Sequence, residues 1–199
     1  MQRIAYPIGN RLYLNITDRC TLVCGFCPKN TAQGPKVHDY DLTLDHRPEV
    51  EEIIAAIGDP TDYEEVVFCG FGEPTLRLKV LKAVAGWIKE RGGRVRLNTD
   101  GLGSLVNKRN ILPELEGLVD SVSVSLNAQD AEVYDRHCRP QLKGSWQAVL
   151  DFLAEAPQYI PRVTATAIDG LEGVDIEACE RLARELGVGF RRRELDKVG

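Results

Sequence analysis

Along the 199 residues, short β-like apolar runs alternate with longer stretches of helical spacing. Residues 11–16 read as a strand, and residues 47–57 as a helix carrying Val50, Ile53, Ile54 and Ile57 on one face. A second strand at 64–69 leads through a glycine turn into an amphipathic helix at 78–91. The same pattern predicts strands at 94–98, 119–125, 160–168 and 188–193. Between them it predicts a short helix near 112–115 and longer helices at 130–137, 145–155 and 175–186. No linker or low-complexity segment interrupts the series, so one domain over residues 1–199 is expected. Repeated strand–helix units require a parallel sheet with right-handed crossovers. Six strands are too few for a closed eight-stranded barrel. The expected fold class is therefore α/β, an open partial (β/α)6 TIM-like barrel of parallel strands, with a flat doubly wound sheet as the alternative. Either places ligands at the carboxyl ends of the strands.

Composition mostly excludes. Apolar residues make up 43% and charged residues 28%, as in ordinary globular chains. A formal net charge of -5 argues against a surface that coats nucleic acid, which is not indicated as a partner. The segment Met1-Gln2-Arg3-Ile4-Ala5-Tyr6-Pro7 lacks the apolar core of a signal peptide. No apolar run approaches the ~18 residues of a membrane span. Six cysteines without a secretion signal fit a reducing cytoplasm, where thiols stay free for metal.

Three of those cysteines are clustered. Cys20, Cys24 and Cys27 have C-x3-C-x2-C spacing in a loop after the first strand, with Phe26 just before the last. Such a loop can offer three thiolates to three irons of a cubane, which normally takes four cysteine ligands. The next cysteine is Cys69. One iron would thus keep an open position, and open positions are where metal sites do chemistry. Zinc is the competing reading, but no second C-x-x-C follows, and His38, His46 and His137 share no ligand spacing. A thioredoxin-like C-x-x-C would leave Cys20 unexplained.

Other unusual residues also follow strands and belong to the same rim. Gly70-Phe71-Gly72-Glu73-Pro74 allows close backbone approach and sets a carboxylate beside it, although many such turns merely connect elements. Asn98-Thr99-Asp100-Gly101 reads equally as a strand-ending turn or a ligand contact. Ser123, Ser125 and Asn127 alternate on one face of the fourth strand, which an apolar core would not want. Asn127 could instead cap the next helix. Thr164 and Thr166 alternate similarly ahead of Ile168. Arg191-Arg192-Arg193 ends the last strand, as a solvated edge or as a grip on a substrate phosphate or carboxylate. Cys69, Cys138 and Cys179 are far apart and read as small buried hydrophobes, with a second cluster the lesser alternative. Residues 31–45, with Lys36, His38 and Asp39, suit a substrate lid or an ordinary surface loop.

The cysteine spacing, the Gly70–Pro74 turn and the order of motifs resemble the radical S-adenosylmethionine (radical SAM) superfamily from Leu12 to the last strand. The entry Leu14-Asn15-Ile16-Thr17-Asp18-Arg19-Cys20, Ser125-Leu126-Asn127-Ala128 and Cys138-Arg139-Pro140 look most like its TatD-associated members. The resemblance implies a [4Fe–4S] cluster on Cys20, Cys24 and Cys27 whose open iron chelates SAM. One electron then cleaves SAM to a 5′-deoxyadenosyl radical, which abstracts hydrogen from an unidentified substrate at the barrel mouth. The SAM contacts it implies are Phe26, Gly70, Phe71, Gly72, Glu73, Asn98, Ser125, Asn127 and Ile168. The glycine turn and Glu73 would meet the methionine amino group, Ser125 and Asn127 the carboxylate and ribose, and Phe26 and Ile168 the adenine. This sequence departs from many members in carrying Phe71 for glycine and Asp100 for asparagine. An electron donor such as flavodoxin or ferredoxin is implied as partner. The small size also suits a glycyl-radical-enzyme activase or a 7-carboxy-7-deazaguanine synthase. A non-catalytic metal-binding interaction module is the alternative of another class, and it would have no use for Glu73, Ser125 or Asn127.

Overall fold

The computed structural model describes residues 2–195; residues 1 and 196–199 of the expected domain lie outside them. The chain opens with a hairpin of β1 (Ala5–Ile8) and β2 (Arg11–Asn15), and a small two-stranded ribbon follows, β3 (Lys36–Val37) with β4 (Tyr40–Asp41). After these come α1 (Val50–Ile57), β5 (Glu65–Cys69), α2 (Leu78–Glu90), β6 (Val95–Thr99), α3 (Gly103–Asn107) and β7 (Ser121–Ser125). The chain continues through α4 (Ala131–Cys138), α5 (Ser145–Glu155), β8 (Arg162–Asp169), α6 (Ile176–Glu185) and β9 (Gly189–Glu194). Side chains visible in the sequence set several helix starts. Asp130 accepts from the Val133 N–H and Asp175 from the Ala178 N–H, each at 2.9 Å, while Glu49 and Glu52 form a reciprocal capping box on α1.

All six expected strands are present and pair in parallel in the order β2-β5-β6-β7-β8-β9, with β1 antiparallel on the edge. A doubly wound sheet reverses direction at a switch point. Here the order is strictly sequential, so every crossover runs the same way and the helices gather on one face. Tyr6 and Tyr13 at one end of the sheet and Arg191 and Arg193 at the other line a common cavity, so the sheet curls into an open barrel. This is the partial barrel the alternation predicted.

Three elements differ from the pattern. β1 carries Pro7, which reads against a strand, but an edge strand with a single neighbour has no ladder bond to lose there. The helix near 112–115 is only a 3-10 turn over Leu112–Glu114, and the true short helix, α3, begins at a glycine that conceals it. The 31–45 insertion is not bare loop, since it contains β3 and β4.

One phase of the strands, including Leu12, Leu14, Val66, Phe68, Leu97, Val122, Val124, Ala165 and Ala167, is buried against the helices in one continuous core. Burying each Val, Leu or Phe there contributes about 1.5–3 kcal/mol. A one-residue slip would expose the whole set, so this face fixes the register. The opposite phase is released from packing and holds Arg96, Asn98, Ser123, Ser125, Thr166, Arg191 and Arg193 around the barrel interior. No helix among the described residues is long and apolar enough to cross a membrane.

Candidate functional site

A cavity of about 260 Å³ opens at the carboxyl ends of the strands. Its wall contains every residue singled out above for cluster or SAM: Cys20, Cys24, Cys27, Phe26, Gly70, Phe71, Gly72, Glu73, Asn98, Ser125, Asn127 and Ile168. Five separate strand ends bring them together.

The cysteine loop is braced on two sides. At the end of α4 and just beyond it, the Val23 N–H donates to the Cys138 carbonyl at 3.1 Å, the Gly25 N–H to that of His137 at 3.0 Å, and the Gln141 N–H to that of Thr21 at 3.0 Å. On the other side the Glu73 N–H donates to the Arg19 carbonyl at 2.7 Å. Close approach there requires glycine: a Cβ on Gly72 would stand 2.2 Å from the Thr17 carbonyl oxygen. Gly70 is needed for its backbone too, with φ at +137°, and a Cβ there would lie 2.8 Å from Asn15 Oδ1.

Two buried acids tie the rim together. The Glu73 carboxylate accepts from the Thr75 N–H at 2.9 Å, the Thr75 hydroxyl at 2.7 Å, the Thr99 hydroxyl at 2.8 Å and the Asp100 N–H at 2.7 Å. It is thus occupied in joining the β5 and β6 loops, and what this stretch offers the cavity is chiefly backbone. Asp100 accepts from the Thr21 hydroxyl at 2.8 Å and the Leu102 N–H at 2.9 Å, and it lies 3.9 Å from Cys20 Sγ. Its turn therefore anchors the cysteine loop as well as ending a strand. Burial, then the Asp100 charge, pushes the Glu73 carboxyl up from 4.5 to about 8, against donors that pull it down. Burial raises Asp100 as well.

The three cysteines are half-buried. Burial, then Asp100, pushes the Cys20 thiol up to about 12. A hydrogen bond with Cys138 raises Cys24 and burial raises Cys27. Thiols so placed become thiolates when a metal centre supplies the positive charge. Among the described residues no three His, Cys, Asp or Glu side chains converge on one ion. Zinc draws its ligands onto one shared centre, whereas a cubane gives each thiolate its own iron.

The cavity also presents unmet acceptors. Asn98 Nδ2 donates to Cys69 Sγ at 3.4 Å and Asn127 Nδ2 to Cys138 Sγ at 3.6 Å, while both Oδ1 atoms are buried without a partner among the described residues. Buried acceptors are normally paired, so the two amides suit a ligand that brings hydroxyl or ammonium donors. The helix-capping alternative for Asn127 fails, because Asp130 is the cap and Asn127 sits at φ +60°.

Cys69 lines the cavity and Cys138 touches Cys24, proximities hidden by their distance in sequence. Cys179 is buried within α6. Arg191 and Arg193 face the cavity, whereas Arg192 turns out to Asp169. Burial holds Arg193 below its ordinary pKa. From the insertion, Gln33 and Val37 join the wall, and Val37 and Leu42 pack with Tyr6 and Tyr13; Lys36, His38 and Asp39 are exposed. Tyr6, Tyr13 and Arg96 are wall residues that no motif announced; only their phase on the strands could have pointed to them.

Comparison with known proteins follows the same lines. The family model described as the radical SAM superfamily matches residues 14–186. The chain is 31% identical over 174 residues to a Corynebacterium glutamicum protein named GTP 3′,8-cyclase, an alignment covering 85% of this chain and 44% of the relative. It thus spans less than half the length of the curated relatives it matches. Among solved structures, Streptococcus suis SuiB bound to S-adenosylmethionine superposes with a TM-score of 0.69 at 13% identity, over 96% of this chain and 42% of that one. TYW1 with a lysine-pyruvate adduct bound superposes with a TM-score of 0.66 at 16% identity, over 95% of this chain and 66% of that one.

Proposed function

Because this chain belongs to the radical SAM superfamily, we propose that Cys20, Cys24 and Cys27 hold a [4Fe–4S] cluster with one open iron, and that SAM lies beside it in the rim cavity. Cluster and SAM are the cofactors of this family of enzymes, and together they supply a one-electron reductive cleavage yielding a 5′-deoxyadenosyl radical. The polypeptide's own work is to bind, orient and exclude water. Backbone groups of Gly70, Phe71, Gly72 and Glu73 receive the methionine end. The free Oδ1 atoms of Asn98 and Asn127 accept from ammonium or ribose donors, with Ser125 beside them. Phe26 and Ile168 give the adenine an apolar seat. An electron donor such as flavodoxin or ferredoxin approaches the outer side of the cysteine loop, where Val23 and Gly25 are exposed. Within the superfamily the motif residues support a reading of the chain as similar to the TatD-associated members.

The observation that carries this reading is the convergence of three cysteines and two unpartnered amide acceptors on one cavity. A metal-binding scaffold without catalysis needs the cysteines but gives those acceptors nothing to do. The test is anaerobic reconstitution, reduction and addition of SAM without any substrate. Slow formation of 5′-deoxyadenosine and methionine is expected. Neither product, with cluster content and reduction verified, would refute the proposal.

A further inference from the structure

A second cavity, of about 230 Å³, opens at the amino-terminal ends of the strands. Arg96, Ser123 and Arg191 line both cavities, so the two adjoin inside the barrel with these side chains at their border. Five arginines stand around it against two glutamates. Both glutamates are engaged: Glu64 by Arg11 at 3.3 Å, and Glu65 by Arg11 at 2.8 Å and Arg96 at 2.9 Å. Arg94, Arg162 and Arg191 have no ion-pair partner among the described residues, leaving three positive charges uncompensated in a chain of net charge -5. The buried Arg96 Nε and Ser121 Oγ also lack hydrogen-bond partners among the described residues, with Ser121 only 9% exposed. Register sets them side by side, since Arg96 pairs with Ser121 on the next strand and Ser121 with Arg162 on the one after. An arginine–serine–arginine row, with unmet donors beside a cavity, is a site for an oxyanion.

We propose that this lower cavity is the anion subsite of the substrate and takes a phosphate group. The inference rests on the preceding reading for where the reaction occurs. A carboxylate would neutralise one of the three free charges, whereas phosphate carries about two at neutral pH and offers three oxygens to the arginine forks. Ser121 and Ser125 are four residues apart on β7, roughly 13 Å at ~3.3 Å per residue. A substrate anchored at the arginine row and reacting at the level of Ser125 therefore has about the reach of a nucleoside phosphate. Its phosphate would fix the register of the reacting carbon against the rim.

The test is calorimetric titration of the reconstituted protein with inorganic phosphate at constant ionic strength, with acetate as the carboxylate comparison. Saturable phosphate binding is expected, weakened about tenfold in Arg162→Gln and in Arg191→Gln through loss of a charge-assisted contact. Both arginines are exposed, so the variants should fold; Ser121→Ala, read by the same titration, should weaken binding without any change of charge. Absence of saturable binding to the parent overturns the subsite, and so does binding undiminished in all three variants. Acetate bound as tightly as phosphate overturns the assignment to phosphate. The titration involves no SAM chemistry. A failed titration in a protein that still cleaves SAM therefore removes the subsite alone, and a parent that cleaves no SAM removes the rim reading alone.

Discussion

Gly72 is where the two halves of the rim press closest, and replacing it with alanine tests whether that contact supports the cysteine loop. Its φ is not in the left-handed region, so alanine is forbidden by space and not by dihedral angle. The added Cβ would meet the Thr17 carbonyl oxygen at 2.2 Å, and the Thr17 carbonyl carbon and Arg19 carbonyl oxygen each at 2.7 Å. All three are backbone atoms and cannot swing away, so the chain itself must give, and overpacking of this kind costs about 1–3 kcal/mol. The neighbouring bond from the Glu73 N–H to Arg19, 2.7 Å long, would stretch or break, adding about 1 kcal/mol. Together these predict a loss of roughly 2–4 kcal/mol, or a fall in Tm of roughly 5–15 °C for a chain of this size. Thr17 and Arg19 lead directly into Cys20, so iron content after reconstitution should fall as well. Gly86→Ala in α2 is the control: its Cβ would meet only Leu118 Cδ2, at 4.0 Å, and helix propensity favours alanine by up to about 1 kcal/mol. The assay is anaerobic denaturant unfolding with iron determination on both variants and the parent. Gly72→Ala within about 0.5 kcal/mol of the parent, the range of an inconsequential surface change, and with full iron, would show that the turn does not brace the loop.

Alanine at Cys20, Cys24 or Cys27 should abolish the visible iron–sulfur absorbance and SAM cleavage, while alanine at Cys69, Cys138 or Cys179 should leave parental iron; loss in the second set would point to another site. Asn127→Ala should keep its iron and weaken SAM about tenfold to hundredfold in a titration, the effect of removing a partner of a charged or buried group. Glu73 should make the cluster-free chain less stable as pH rises between 4.5 and about 8. The folded state keeps a proton there that the unfolded state has released, so the slope of stability against pH is negative. Glu73→Gln should flatten that slope in denaturant titrations across the window, and an unchanged slope would remove the proton from Glu73.

The barrel was legible because its outer phase is so regular. Leu12, Leu14, Val66, Phe68, Leu97 and Val122 alternate cleanly and can pack in one register only. The wall of the rim cavity was legible through its exceptions to that phase, the cysteines, the glycine turn and the Ser125–Asn127 hydroxyl and amide. What could not be read was tertiary. Glu73 looked like a free carboxylate until Thr75, Thr99 and Asp100 were seen to occupy it. Cys138 looked isolated, although α4 returns it to Cys24 from far along the chain. Arg96 and Arg162 of the lower opening were hidden for the same reason, since they belong to separate strands and only the sheet register brings them into one row.

The central claim is that SAM binds directly to an open iron held by Cys20, Cys24 and Cys27 in the rim cavity. Electron–nuclear double resonance of the reduced, reconstituted protein with SAM labelled by nitrogen-15 at its amino group measures that contact itself. The account predicts a nitrogen-15 coupling to the cluster, together with a changed electron paramagnetic resonance spectrum. An intact cluster whose spectrum stays the same at saturating SAM, with no such coupling, would contradict it.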